Sequence, residues 1–181
     1  MVVKDKQKTG KTSSLDLMSI APPEWGAKKQ TRVTEADARK EGWTVRKDGT
    51  IEVHGNLILR KDMHFNNPLK IIDGSIIGEG GVRYDLQVHG NLDAQDIKVS
   101  GLFVVGAINA GHIDAENIGA RDIHVLDIRA DSVRATGSIE ADFIVCSTIS
   151  LPKGARFYAK HVITNKEDYI QKRHDISKLQ R

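Results

Sequence analysis

Seven histidines, one cysteine and one glycine–lysine motif are the residues of this 181-residue chain with the most obvious chemistry. Imidazoles bind metal or move protons when two or three of them converge, and close spacing in sequence is the simplest way to bring them together. Here His112 and His124 stand twelve apart, and no two histidines are four or five apart. His54 and His89 each follow a valine that reads as inward, Val53 and Val88, so they are expected to point outward at corners. Surface imidazoles, not ligands, are the expectation. A lone Cys146 can form neither an internal disulfide nor a cysteine zinc cluster. TGKTSS (9–14) ends like a phosphate-binding loop, but Asp5 occupies the place where GxxxxGK[ST] needs its first glycine. Paired carboxylates, a nucleophile elbow and a dinucleotide loop are not found. The expectation is a non-enzymatic protein with no cofactor and no metal.

The frame that positions these residues has an unusual beat. In AENIGARDIHVLDIRADSVRA (115–135), Ile118, Ile123, Ile128 and Val133 recur every five residues, and Ala120, Val125, Ala130 and Ala135 follow two residues after each. Helices and simple strands repeat every 3.6 and 2 residues, so neither explains a five-residue beat. Two like residues separated by one form a very short strand with both side chains on one face. Before many of these pairs stand Asn117, Asp122, Asp127, Ser132, Ser138 or Thr148, which ease tight corners. Short strand and corner in alternation make a β-solenoid.

The pairs continue from Leu86/Val88 to Val162/Thr164, with steps of six at 86→92, 102→108 and 133→139. Three pairs per turn then give turns starting at 86, 102, 118, 133 and 149, close to 16 residues each. This favours three sides over the competing four-sided coil of about twenty residues. One inward column should read Ile97, Ile113, Ile128, Ile144, Val162, and the outward column beside it begins Lys98, Asp114, Arg129. A small partner beside each aliphatic leaves room for it to fill the narrow axis, and Cys146 falls in such a slot as an inert core residue. Phe157 is the only aromatic in these inward columns. Upstream, the phrase VHGNL occurs at 53–57 and at 88–92, 35 residues apart, which reads as about two turns plus an irregular excursion over 64–84. The coil is thus expected to begin near residue 50 and to end near 164, about seven turns.

Four segments follow. Residues 1–33 form a polar, basic tail with one apolar island, Leu15, Leu17, Met18, Ile20 and Trp25. Residues 34–48 hold a short helix, capped by Thr34 and stopped at Gly42, with Trp43 and Val45 placed to cover the first turn. Residues 49–164 are the β-helix, and 165–181 read as a second helix. Residues 1–47 carry eleven basic and six acidic side chains, 165–181 carry five and three, and the chain as a whole is +3, leaving the centre at −4. Solvated tails account for this, and contact with an anionic surface is the sharper alternative. The start has no apolar run suited to a signal peptide or membrane span, so a cytoplasmic location is expected.

IEVHGNLIL (51–59), LQVHGNLDA (86–94), the aliphatic–alanine columns and ISLPKGARFYAKHVI (149–163) together resemble the bactofilins, bacterial polymer-forming cytoskeletal proteins. The resemblance covers roughly 50–164 and implies a right-handed, single-stranded, three-sided β-helix that joins end to end into non-polar filaments without nucleotide. It also implies scaffolding of partners, and membrane attachment through an apolar and lysine-rich start that MVVKDK resembles. Phe157, Tyr158, Val162 and Trp43 are the self-assembly candidates. The apolar island is the candidate docking segment for an unidentified protein partner or an anionic membrane, or else packs on the chain's own rod; nucleic acid is not an expected partner. The alternative reading is a capped, soluble solenoid that binds another macromolecule as an adaptor or inhibitor, motivated by the two flanking helices.

Overall fold

A computed structural model describes residues 30–164, so the apolar island and the expected C-terminal helix lie outside the described residues. Its elements in chain order are β1 (Thr31–Val33), α1 (Glu35–Lys40), β2 (Thr44–Val45), β3 (Ile51–His54), β4 (Leu57–Leu59), β5 (Met63–Phe65), β6 (Leu69–Ile72) and β7 (Ile76–Gly78). There follow β8 (Leu86–Val88), β9 (Leu92–Lys98), β10 (Gly101–Asp114), β11 (Asn117–Arg129), β12 (Ser132–Val145), β13 (Thr148–Ser150) and β14 (Arg156–Ile163). From β9 onward the longer strands bend through corners and so serve more than one side of the coil.

Parallel registers stack these strands into a three-sided β-solenoid of seven turns. On the first face Thr31 pairs with Met63, Met63 with Leu86, Leu86 with Leu102, and the column continues through Ile118, Val133 and Ile149. The second face runs Ile51, Leu69, Leu92, Ile108, Ile123, Ile139, Phe157. The third runs Leu57, Ile76, Ile97, Ile113, Ile128, Ile144, Val162. The predicted turn starts and the third-face column are therefore those of the structure; successive partners lie 15 or 16 residues apart from β8 to β13, and 18 apart between β12 and β14.

The five-residue beat has a plain physical basis. Ile118, Ile123 and Ile128 are at most 2% exposed, and the alanines at 115, 120, 130, 135 and 141, with Cys146, are at most 4% exposed in the slots beside them. Burial pushes the Cys146 thiol pKa up, which suits an inert core residue. Where a turn takes a sixteenth residue, the corner between the first and second faces holds a glycine. A Cβ on Gly106 would stand 2.5 Å from the Gly90 carbonyl oxygen, and one on Gly137 2.4 Å from Asp122 Oδ1. Corner polar residues reach between turns more than within them: Ser132 Oγ donates to Asn117 Oδ1 and Ser138 Oγ to Asp122 Oδ1, each at 2.7 Å.

Four expectations change. The coil starts earlier than residue 50, because β1 is already a rung of the first face; Thr31–Val33 belongs to the sheet and not to the tail. The two VHGNL phrases do not stack on each other. Val53 and Leu57 flank the corner from second to third face, Val88 and Leu92 that from first to second, since 35 residues is not a whole number of turns here. Each phrase supplies a glycine with positive φ, 78° at Gly55 and 145° at Gly90, which explains the shared letters without a shared position. The excursion is narrower than 64–84: β5, β6 and β7 are ordinary rungs, and the extra residues lie between Gly78 and Leu86. Finally, Phe157 is not the only inward aromatic, for Phe65 is fully buried at the plugged end of the first face.

Candidate functional site

The two ends of the rod differ, and the difference comes from local sequence. At the N-terminal end Thr34 caps α1 in a reciprocal box with Asp37: Asp37 N donates to Thr34 Oγ1 at 3.3 Å and Thr34 N to Asp37 Oδ2 at 3.0 Å. The helix turns Ala38 wholly inward and ends at Gly42, whose φ is 78°. The chain then lays Trp43 against Phe65, ring centroids 6.0 Å apart. β2 pairs antiparallel with β3 and covers its outer edge. Arg46 Nη2 lies 2.6 Å from the buried Glu52 carboxylate and ties this hairpin down. Trp43 is thus part of a plug, half-buried on the core with Val45, in the covering position expected of both. A cleft of about 500 Å³ opens between the plug and the first rungs, lined by Arg32, Asp37, Glu41, Arg60 and Lys61 among others.

At the other end the axis opens. Phe157 stacks in register on Ile139 and Val162 on Ile144, both in inward columns. Ile139 and Ile144 are at most 1% exposed, but Phe157 is 45% and Val162 40% exposed. Tyr158, one residue on, faces outward over Glu140 and is 56% exposed. Among the described residues β14 pairs with β12 alone, and β13 likewise, so the last turn presents one strand edge without a ladder partner. Such an edge is a template for another strand. Residues 149–164 carry Lys153, Arg156 and Lys160 and no carboxylate. Lys160 Nζ sits 2.9 Å from Asp142 Oδ1 of the preceding turn, and that hydrogen bond raises the lysine pKa.

Of the sequence-predicted residues, the structure therefore brings Phe157, Tyr158 and Val162 together on the open end. It places Trp43 at the opposite end. Leu15, Leu17, Met18, Ile20 and Trp25 are outside the described residues.

The coil brings histidines together that the spacing did not. His64 and His89 meet with ring centroids 4.8 Å apart, and burial lowers the pKa of both, His64 further through His89 and Arg32, His89 through Arg32. Their Nε2 atoms are shut from solvent and have no hydrogen-bond partner among the described residues. His112 Nδ1 lies 2.9 Å from Asp127 and His124 Nδ1 3.5 Å from Glu140, each one turn away. Among the described residues no three His, Cys, Asp or Glu side chains gather as a metal site would need.

Two features on the outside of the coil escaped the sequence reading. Phe103 stands between inward Leu102 and Val104, yet is only 1% exposed. Val145 and Ile163, paired on the third face at outward positions, are 3% and 9% exposed. The signal was present in LFVV (102–105) and FIVC (143–146), runs in which apolar residues fill the outward slot as well.

Fold and ends together define the class: a three-sided β-solenoid of about seven turns, covered at its first turns by α1 and Trp43 and, among the described residues, without a further strand on its last. No family model, no curated protein and no solved structure matches the chain. No helix among the described residues is long and apolar enough to cross a membrane.

Proposed function

We propose that this protein is a non-enzymatic structural protein that self-associates through its last turn and serves as a scaffold. The observation that carries this reading is Phe157, an axial position left 45% exposed at the foot of a column that is otherwise dry. Apolar surface at the centre of an end, ringed by strand edge, suits a two-fold contact with the same end of a second copy. The bactofilin resemblance supports the same reading. A filament would add a second contact at the plugged end, so the two-fold pair is the first product. Partners, protein or anionic membrane, are recruited through the basic N-terminal residues.

Sedimentation of the full chain at physiological salt tests the reading. Pairs or larger assemblies are expected, with Phe157→Arg converting them to monomers while the β-sheet circular dichroism is kept. A parent chain that stays monomeric at high concentration overturns it. The second reading is then a soluble, capped binding module, which the plug of Ala38 and Trp43 favours because solenoids need their ends covered.

A further inference from the structure

The plug covers one strand edge of the first turn and leaves another bare. β2 lies along the outer edge of β3. β4, the first strand of the third face, pairs with β7 alone among the described residues. Strand geometry says which backbone groups this leaves over. Leu57 N donates to Ser75 O at 2.9 Å, so the amide and carbonyl of Leu57 point to β7. These groups alternate in direction along a strand, so Leu59 also points to β7, and the Ile58 N–H and C=O point away from it. The Ile58 side chain stands on the outer wall beside them, 41% exposed. The cleft of about 500 Å³ opens on this edge, with Leu57 and Ile58 on one side and Glu41 and Trp43 of the plug on the other.

We propose that the free edge of β4 is a strand-addition site, where this cleft takes an extended, acidic peptide of a partner protein. In an antiparallel approach one peptide residue opposite Ile58 exchanges both main-chain bonds with it, and its side chain lies beside Ile58 on the outer wall. The residues before and after it turn inward, where Val33, Trp43 and Met63 give the cleft an apolar lining. Main-chain bonds supply affinity in this mode, and the lining supplies selectivity. Charge sets the selectivity here. Arg60 is bound to Glu79 at 2.9 Å, and Asp37 is held in the cap of α1. Arg32 and Lys61 have no ion-pair partner among the described residues, and Glu41 is the one open carboxylate of the lining set against them. Two open cations against one carboxylate favour acidic side chains on the peptide. A cleft of this volume admits a few extended residues, not a folded domain. The site is at the far end from Phe157 and does not depend on the last turn associating.

Fluorescein-labelled hexapeptides serve as probes, with leucine, valine or isoleucine in the first three places and aspartate or glutamate in the last three. Titrated with the full chain and followed by anisotropy, the best of them is expected to bind saturably, one to one. N-methylating its apolar residues in turn should find one position that weakens binding about ten-fold, by removing the bond to Ile58. Ile58→Pro removes the other bond from the protein side, and an edge strand accepts proline where the N–H faces outward. It is expected to weaken binding to a similar degree with far-ultraviolet circular dichroism unchanged. Should Ile58→Pro disturb the coil, the methylated peptides give the same readout on the parent protein. The Arg32→Glu/Lys61→Glu variant should lose preference for acidic peptides over versions with lysine in the last three places. In hydrogen exchange the Ile58 amide should be open in the free chain and protected by the peptide. An amide already protected in the free chain overturns the proposal, because the edge is then taken. Failure of every peptide to saturate at millimolar concentration overturns it too, as does binding indifferent to methylation at all three positions or to the charge reversal.

Discussion

Single positions in this coil differ sharply in what they tolerate. Ile123 is fully buried, while its neighbour His124 is exposed. Ile123→Asp puts a carboxylate into a dry axis and should cost more than about 3 kcal/mol, most of a small domain's margin. His124→Asp should change stability by less than about 0.5 kcal/mol, the range of ordinary surface substitutions. Urea melts of both variants check the register: equal effects would mean the inward column is misplaced. The stacked pair His64 and His89 gives a second prediction. Burial favours the neutral rings in the fold, so their folded pKa values lie below the usual 6.5. Between the folded and unfolded values only the unfolded chain takes up protons, and stability is full above that window and lost as pH falls through it. Melting temperature should therefore drop from about pH 7 to about pH 5, and the His64→Gln/His89→Gln variant should flatten that slope.

The elements owe more to their corners than to their strands. Gly106 has no space for a Cβ because the Gly90 carbonyl is backbone and cannot rotate away. Gly80, with φ of 63°, has open space around it and would suffer only conformational strain. We expect Gly106→Ala to lower stability by about 2–4 kcal/mol and Gly80→Ala by about 1–2 kcal/mol, read as shifts in urea midpoint. This contrast shows what the sequence made legible. From Leu86 to Ile149 every turn carries aliphatic–small pairs, and the period sets the stacking. Upstream the phrase VHGNL misled, because a corner's needs for a positive-φ glycine and a polar residue are alike at different corners of the triangle. The plug was half legible: Thr34 and Gly42 mark the ends of α1. Trp43 lies against Phe65 of β5, the strand that pairs with β1, and the three residues of β1 leave no periodicity to read. The inward place of Phe157 in the last turn was legible, and the burial of Phe103 was not, because one aromatic in an outward slot looks like any surface ring.

At the scale of the whole molecule, charge should govern association. The last turn carries three basic side chains and no acid, so two such ends facing each other repel at low ionic strength. Screening over about 8 Å at 0.15 M relieves this, and salt strengthens apolar contact as well. Self-association should therefore rise with salt in sedimentation experiments, opposite to a contact built on ion pairs. The same asymmetry of ends has a consequence during synthesis. The plug is the first part of the coil to leave the ribosome, and chains fold from the N-terminus as they emerge. Each later turn then finds a finished edge one register ahead, so the solenoid grows by templated addition and needs no distant partner to wait for. Among the described residues, the turn that is made last is the one with no later strand to receive. If the chain self-associates as proposed, a nascent neighbour on the same message would meet that edge first, and assembly would then be expected to begin on the crowded polysome.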